Sequence, residues 1–291
     1  MPTDRLIFGC GYLGLRVARR WKQAGDRVFV VTRSAPNAEA FSREGLEPIL
    51  ADVTQPETLA RLPEADTLLF AVGYDRKAGP SIQQVYAEGF ARVLNSLHAG
   101  ARRVIYISTT GVYGPAHGEW VDEATEPNPQ RDGGRASLAA ERALLEGPWA
   151  DRGTALRLAG IYGPGRVPYL AKLKAGEPIE AVRTGWLNLI HVDDAASVAI
   201  AAADAPSVPP VLCVSDGHPP VREDYYQEAA RQIGAPRPTF VSPEEGSPKA
   251  ARAAADKRVS NRLMLERLPV KLAYPTYREG LASIVAAESE S

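Results

Sequence analysis

Short apolar runs alternate with stretches of helical spacing along the first half of the chain. The runs fall at residues 6–8, 27–32, 47–50, 67–72, 103–108 and 154–158. Such alternation predicts parallel strands joined by helical crossovers, an α/β architecture with a doubly wound parallel sheet. The clearest helical stripe follows the first run, with apolar residues at Leu15, Val17, Ala18 and Trp21.

The pattern changes after residue 165. Residues 166–187 are irregular and mixed, punctuated by Pro168, Pro178 and Gly185. An apolar run at 212–216 reads as one more sheet strand. An amphipathic helix then runs to about Ile233 and stops at Gly234-Ala235-Pro236. Residues 244–258 are polar and Ala-rich, a surface loop followed by a weak helix. These features divide the chain into a sheet domain over 1–165, its sheet completed by a strand near 211–215, and a smaller C-terminal lobe over 166–291. A cleft between two such parts is a usual place for a ligand.

Composition narrows the partners. The 291 residues are 45% hydrophobic and 24% charged, the proportions of a soluble globular protein. Lys+Arg of 34 against Asp+Glu of 35 leaves a net charge of −1, so no global field draws the chain to nucleic acid or an anionic membrane. No basic stripe interleaves with aromatic residues, and no apolar stretch is long enough to span a bilayer. A cytoplasmic protein acting on a small molecule is expected. Cys10 and Cys213 are read as reduced, structural thiols, and His98, His117 and His218 lack ligand spacing, so no metal site is expected.

The candidate chemistry begins at Gly9-Cys10-Gly11-Tyr12-Leu13-Gly14, directly after the first run. In a dinucleotide-binding turn Gly9 permits the tight bend, Gly11 leaves room for a pyrophosphate, and Gly14 lets the helix pack closely on the sheet. Amides of Tyr12 and Leu13 at the helix start would face the phosphates. Thr32, Arg33 and Ser34 end the second strand, where an acidic residue would hold a ribose 2′-OH and an Arg suits a 2′-phosphate. NADP is therefore favoured over NAD, with a solvated Arg33 the plain alternative. Asp52, followed by Val53, either accepts a hydrogen bond from the adenine amino group or caps a helix near Pro56. Ala71, Val72 and Gly73 end the fourth strand in the small residues needed for backbone to pass near a cofactor.

Four later segments carry a family resemblance: Ser108-Thr109-Thr110-Gly111-Val112-Tyr113-Gly114, Leu156-Arg157-Leu158-Ala159-Gly160-Ile161-Tyr162-Gly163-Pro164-Gly165, Asn188-Leu189-Ile190-His191-Val192-Asp193-Asp194-Ala195 and Leu212-Cys213-Val214-Ser215-Asp216. With the glycine turn, they make the chain similar to the extended short-chain dehydrogenase/reductase superfamily, the nucleotide-sugar epimerase and dehydratase group. Ser260-Asn261-Arg262 and the segment from Tyr274 to Leu281 further resemble its atypical YeeZ-like subgroup. The resemblance implies a Rossmann-type fold, a nicotinamide cofactor with Ser108 facing it, and hydride transfer to or from a small carbonyl, hydroxyl or nucleotide-sugar-like substrate. It also allows a homodimer.

The superfamily's catalytic Tyr, and the Lys four residues later, lie on the helix after the Ser-bearing strand. Aligning Leu138-Ala139-Ala140-Glu141 with that helix puts Gly133 at the Tyr position and Ser137 at the Lys position. Ser108, Thr109 and Tyr113 remain as candidate catalytic hydroxyls, with a wall residue of the pocket the preferred reading of Tyr113. Arg131 and Arg135 flank the vacant position, either to hold a carbonyl or anion or as solvated helix residues. Asp132 and Glu141 read as solvated, His191 as a structural hydrogen-bonding group, and Asp194 as a helix cap. Two functions follow: an atypical NAD(P)-dependent oxidoreductase or epimerase-like enzyme, or a non-catalytic NADP-binding sensor.

Overall fold

In the computed structural model, which describes residues 2–289, one seven-stranded sheet organises the chain. Its strands are β1 (Asp4–Phe8), β2 (Arg27–Thr32), β3 (Glu47–Leu50), β4 (Thr67–Phe70), β5 (Arg103–Thr109), β6 (Gly153–Leu158) and β7 (Val211–Val214). All pairs are parallel, in the order β3-β2-β1-β4-β5-β6-β7. The order reverses between β1 and β4, and that switch point opens a crevice at the carboxyl ends of the strands. This is the Rossmann-type architecture.

Both faces are covered, which is why the strands carry unbroken apolar runs. On one face α1 (Gly14–Gln23) buries Val17, Ala18 and Trp21, and α2 (Ala35–Arg43) buries Phe41, against Ile7, Val30, Leu69 and Ile105. On the other, α3 (Gly89–Ser96) and α4 (Asp132–Leu145) press Phe90, Val93, Ala140 and Leu144 onto Leu6, Phe70, Val104 and Tyr106. Neighbouring residues of one strand thus enter opposite cores, as the two-residue period requires.

Three elements from beyond residue 165 return to this layer, one of them the short helix Arg262–Arg267, whose Met264 is buried in the core under α1. Helix α5 (Val192–Asp204) packs beside α1 and shares its core, and β7 pairs with β6 at the sheet edge. The remaining C-terminal residues form a lobe with its own core, built from Tyr162, Leu173, Ile179, Tyr225 and Leu281 on and around α6 (Arg222–Gln232) and α7 (Tyr277–Ser289). Tyr225 and Tyr226 are both buried there.

Small parallel pairings tie lobe to layer. Leu189–His191 runs beside Gly160–Tyr162, and Arg258–Val259 beside Trp120–Val121. The second pairing lays the segment around residue 257 against the turn that follows β5. Asp194 is not a cap: its two carboxylate oxygens accept from Ala273 N (2.8 Å) and Tyr274 N (2.9 Å), fastening the approach to α7. His191 caps α5 instead, its Nδ1 accepting from Asp193 N at 3.3 Å. Burial pushes the His191 imidazole below its usual pKa, so it sits neutral and structural. Among the described residues no helix is long and apolar enough to cross a membrane, and no cluster of metal-ligating side chains occurs.

Candidate functional site

The turn after β1 is shaped by close approaches. Gly9 has φ +89°, and a Cβ there would stand 2.4 Å from Ala71 O. A Cβ on Gly14 would stand 2.2 Å from Gly9 O, so the first turn of α1 sits directly on the bend. Gly11 differs: nothing lies within 4 Å of where its Cβ would be. The helical ladder starts with Leu15 N donating to Gly11 O at 3.1 Å, and the amides before it belong to the unpaired start of a helix, a natural anion site.

From this turn a cavity of about 490 Å³ extends across the carboxyl ends of β1 to β4. Gly9 and Gly11 line it, as do Thr32, Arg33 and Ser34 from the end of β2, Asp52 and Val53 after β3, and Val72 and Gly73 after β4. Ser34 also starts α2, its Oγ accepting from Asn37 N at 3.4 Å. Arg33 Nη1 lies 3.8 Å from Asp52 Oδ2. Asp52 closes a local turn, its Oδ1 accepting from Thr54 N (2.8 Å) and Thr54 Oγ1 (2.7 Å). It does not cap Pro56–Leu59, which starts without a side-chain cap.

Five expected cofactor residues, Tyr12, Leu13, Gly14, Ala71 and Ser108, stand outside the cavity wall. Leu13 is in the core, Gly14 and Ala71 make the backbone contacts of the bend, and Tyr12 reaches the other way. Tyr12 Oη donates to Pro164 O at 3.0 Å and its ring stacks under Arg16 and Arg166, linking the turn to the loop after β6. Cys10, Asn37, Asp75 and Val85 line the cavity without having been expected. Asn37 alone had a local sign, its place one turn into the helix that Ser34 caps. Burial pushes the Cys10 thiol up to about 12, so it rests protonated, and Cys213 is pushed equally far.

The candidate hydroxyls after β5 separate by strand alternation. Ser108 lies on the Tyr106 side of the sheet, and its Oγ is hydrogen-bonded to Glu141 Oε1 on α4, not turned to the cavity. Glu141 is correspondingly not solvated. It is 2% exposed and clamped by Arg157, whose Nη2 and Nε lie 2.6 Å and 3.1 Å from its two oxygens. Arg157 Nη1 donates to Tyr113 Oη at 2.8 Å, and Tyr113 in turn donates to Asp122 O at 2.6 Å beside Cys213. Burial raises the Tyr113 phenol far above its usual range, so its placement corrects the catalytic expectation: it is a buried link. Thr109 is the exception among the candidates. Half-buried at the end of β5, its Oγ1 accepts from Gly111 N at 3.0 Å and keeps its own O–H to donate.

Next to these groups, the first turn of α4 is small-sided. A Cβ on Gly133 would stand 3.3 Å from Ile82 Cδ1, and Ser137 is buried and hydrogen-bonded to Tyr106. Asp132 is taken by Arg135 at 2.5 Å on the exposed helix surface.

Comparison with known proteins agrees with this geometry. Residues 6–211 match the NAD dependent epimerase/dehydratase family. Protein YeeZ of Escherichia coli strain K12 is 30% identical over 242 residues, covering 80% of this chain and 85% of that protein. The 2'-dehydrokanamycin reductase of Streptomyces kanamyceticus is 28% identical over 248 residues, covering 78% and 66%. A solved structure from Methylobacillus flagellatus, provisionally described as an NAD-dependent epimerase/dehydratase, superposes with a TM-score of 0.81 at 31% identity, covering 99% of this chain and 100% of that one.

Proposed function

Because the chain belongs to the NAD dependent epimerase/dehydratase family, we propose that it is an NADP-dependent oxidoreductase or epimerase-like enzyme in which Thr109 binds the reacting oxygen of a small carbonyl or hydroxyl substrate. The observation that carries the reading is the open space over Gly11 at the head of the 490 Å³ cavity, bounded by backbone where the other two glycines lie. That space fits a diphosphate. Arg33, Ser34 and the start of α2 offer a guanidinium, a hydroxyl and amides to a 2′-phosphate, while Asp52 and Val53 flank the adenine end.

The nicotinamide, when bound, supplies or receives hydride. The chain's own part is to hold, orient and polarise. Thr109 donates its free hydroxyl hydrogen to the substrate oxygen, and Ser108 holds the end of β5 in place through Glu141. Thr109→Ala is expected to lower kcat by about 10²–10³ and, through loss of the Gly111 N contact, to cost about 1 kcal/mol of stability, no more than Ser108→Ala. Ser108→Ala, which removes only a buried hydrogen bond, is expected to cost about 1 kcal/mol of stability and little turnover. Steady-state rates over a panel of carbonyl compounds, with melting curves beside them, check the pair; the reverse assignment of effects would return the catalytic role to Ser108.

Arg33→Asp tests the cofactor. It is expected to weaken NADPH about 100-fold, the worth of a charge-assisted contact, and to leave NADH nearly unchanged. Fluorescence titration with both dinucleotides reads this directly, and equal losses would reassign the site to NAD. A second reading, a non-catalytic sensor of NADP, is favoured by Gly133 and Ser137, which the sequence resemblance aligns with the superfamily's Tyr and Lys. Cofactor binding without turnover of any carbonyl above the Thr109→Ala background would select it.

A further inference from the structure

Among the described residues the buried cations Arg5 and Arg157 are paired with carboxylates, and Lys257 is not. Arg5 is held by Asp26 (2.8 Å), Asp204 (2.6 Å) and Thr67 (3.0 Å), and Arg157 by Glu141. Lys257 is 4% exposed, yet its ammonium makes one hydrogen bond, to the backbone oxygen of Tyr113 at 3.2 Å. No carboxylate lies within ion-pair distance of it among the described residues. Its neighbour Asp256 is engaged elsewhere: Oδ1 accepts from Trp186 N at 3.0 Å, and the carboxylate faces Arg222 across Gly185.

Further positive charge surrounds Lys257. Burial pushes its ammonium down to about 8, Arg131 and Arg222 push the same way, and Asp256 pulls weakly back, so at neutral pH it stays charged. A buried cation with two unused donors and two cationic neighbours costs the fold free energy. An anion would offset that cost.

The place is specific. Tyr113 ends the turn that begins at Thr109, and Arg131 precedes α4 with its Nη2 3.3 Å from where a Cβ on Gly111 would stand. Thr109 Oγ1 lies 3.2 Å from the same point. Lys257 arrives through the pairing of Arg258–Val259 with Trp120–Val121, and Asn188 Nδ2 fixes it by donating to Lys257 O at 2.9 Å. Arg131 thus stands beside the proposed reacting hydroxyl, and Lys257, held on Tyr113 O, lies at the other end of the same short turn.

We propose that Lys257 and Arg131 form an anion-binding pair that selects substrates carrying a carboxylate or phosphate next to the group held by Thr109. The inference rests on the proposed function for its meaning as substrate selection, and binding of the anion is measurable without turnover. Gly11→Val closes the diphosphate site and is expected to fold, so melting temperatures in that background report this second site alone. Inorganic phosphate and malonate are titrated separately against chloride of equal ionic strength.

The Lys257-containing protein is expected to gain roughly 3 °C at ten times the dissociation constant of whichever anion fits, and the better anion identifies the substrate's acidic group. Lys257→Met is expected to show no gain and, without anion, to melt no lower than the parent, since a buried unpaired charge has been removed. Arg131→Gln, changed at a half-buried position, is expected to weaken the response at least tenfold in anion concentration. A gain of equal size in Lys257→Met, or no gain with either anion in the parent, overturns the proposal. If unaltered protein binds no dinucleotide while the anion response stands, the proposed function fails and the anion site remains.

Discussion

Gly9→Ala is expected to lower stability by about 2–5 kcal/mol, while Gly11→Ala, two positions on, is expected to leave the fold intact and abolish most cofactor affinity. The first estimate sums two costs. A side chain at φ +89° loses about 1–2 kcal/mol, and overlap with Ala71 O, Ala71 C and Val72 N at 2.4–2.5 Å adds about 1–3 kcal/mol because backbone must move. Gly11 carries neither cost. Its Cβ would enter open space, so the loss falls on whatever occupies that space, and NADPH affinity is expected to fall at least 100-fold. Urea unfolding and fluorescence titration of the two variants separate the roles. Should Gly11→Ala bind NADPH as well as the parent, the diphosphate assignment would be lost.

Glu141→Leu is expected to cost about 3–5 kcal/mol, the penalty of leaving the Arg157 guanidinium buried without its carboxylate. At 5% and 2% exposure neither partner has water to turn to. The double variant Glu141→Leu, Arg157→Met removes both charges and is expected to recover most of the loss, because a buried pair replaced by apolar groups of similar size is often neutral. The recovery is incomplete to the extent that Ser108 and Tyr113 lose their partners, about 1 kcal/mol each. Chemical denaturation of the two single variants and the double gives the coupling energy, and additive losses would deny that the pair acts as a unit.

The contrast between these two predictions shows what was legible beforehand. The glycines could be read because each task is local and demands one residue type. Strand β2 could be placed to the residue because Val28 to Val31 are buried on both faces, which leaves a continuous apolar run, while β3, an edge strand with no buried residue, is placed by its spacing from β2. β1 begins two residues earlier than its apolar run because Arg5, polar by pattern, is buried on ion pairs to Asp26 and Asp204, which lie 21 and 199 positions away. β4 stops at Phe70, short of the apolar run to 72, where the backbone leaves the sheet to meet Gly9.

The buried network was not legible for the same reason. Glu141 sits on a helix whose neighbours are charged and small, and its partner is 16 residues on in a strand. No periodicity links them. Ser108 and Thr109 are adjacent hydroxyls that only the phase of the strand distinguishes, and that phase is fixed by packing of Tyr106 against Phe70 and Phe90. Lys257 lay in a polar stretch with helical tendency, and its burial depends on a two-residue pairing with Trp120–Val121.

The late arrival of α5 and β7 bears on how the protein is made. While the nascent chain ends anywhere before residue 214, β6 presents an unpaired edge and α1 an uncovered apolar flank. At about 5–20 residues per second that exposure lasts on the order of several seconds on the ribosome, time in which an open edge can join another chain. A fragment ending at 165 would carry both exposures permanently, so the sheet layer is not a detachable module: its last strand is held in trust by the part of the chain that follows.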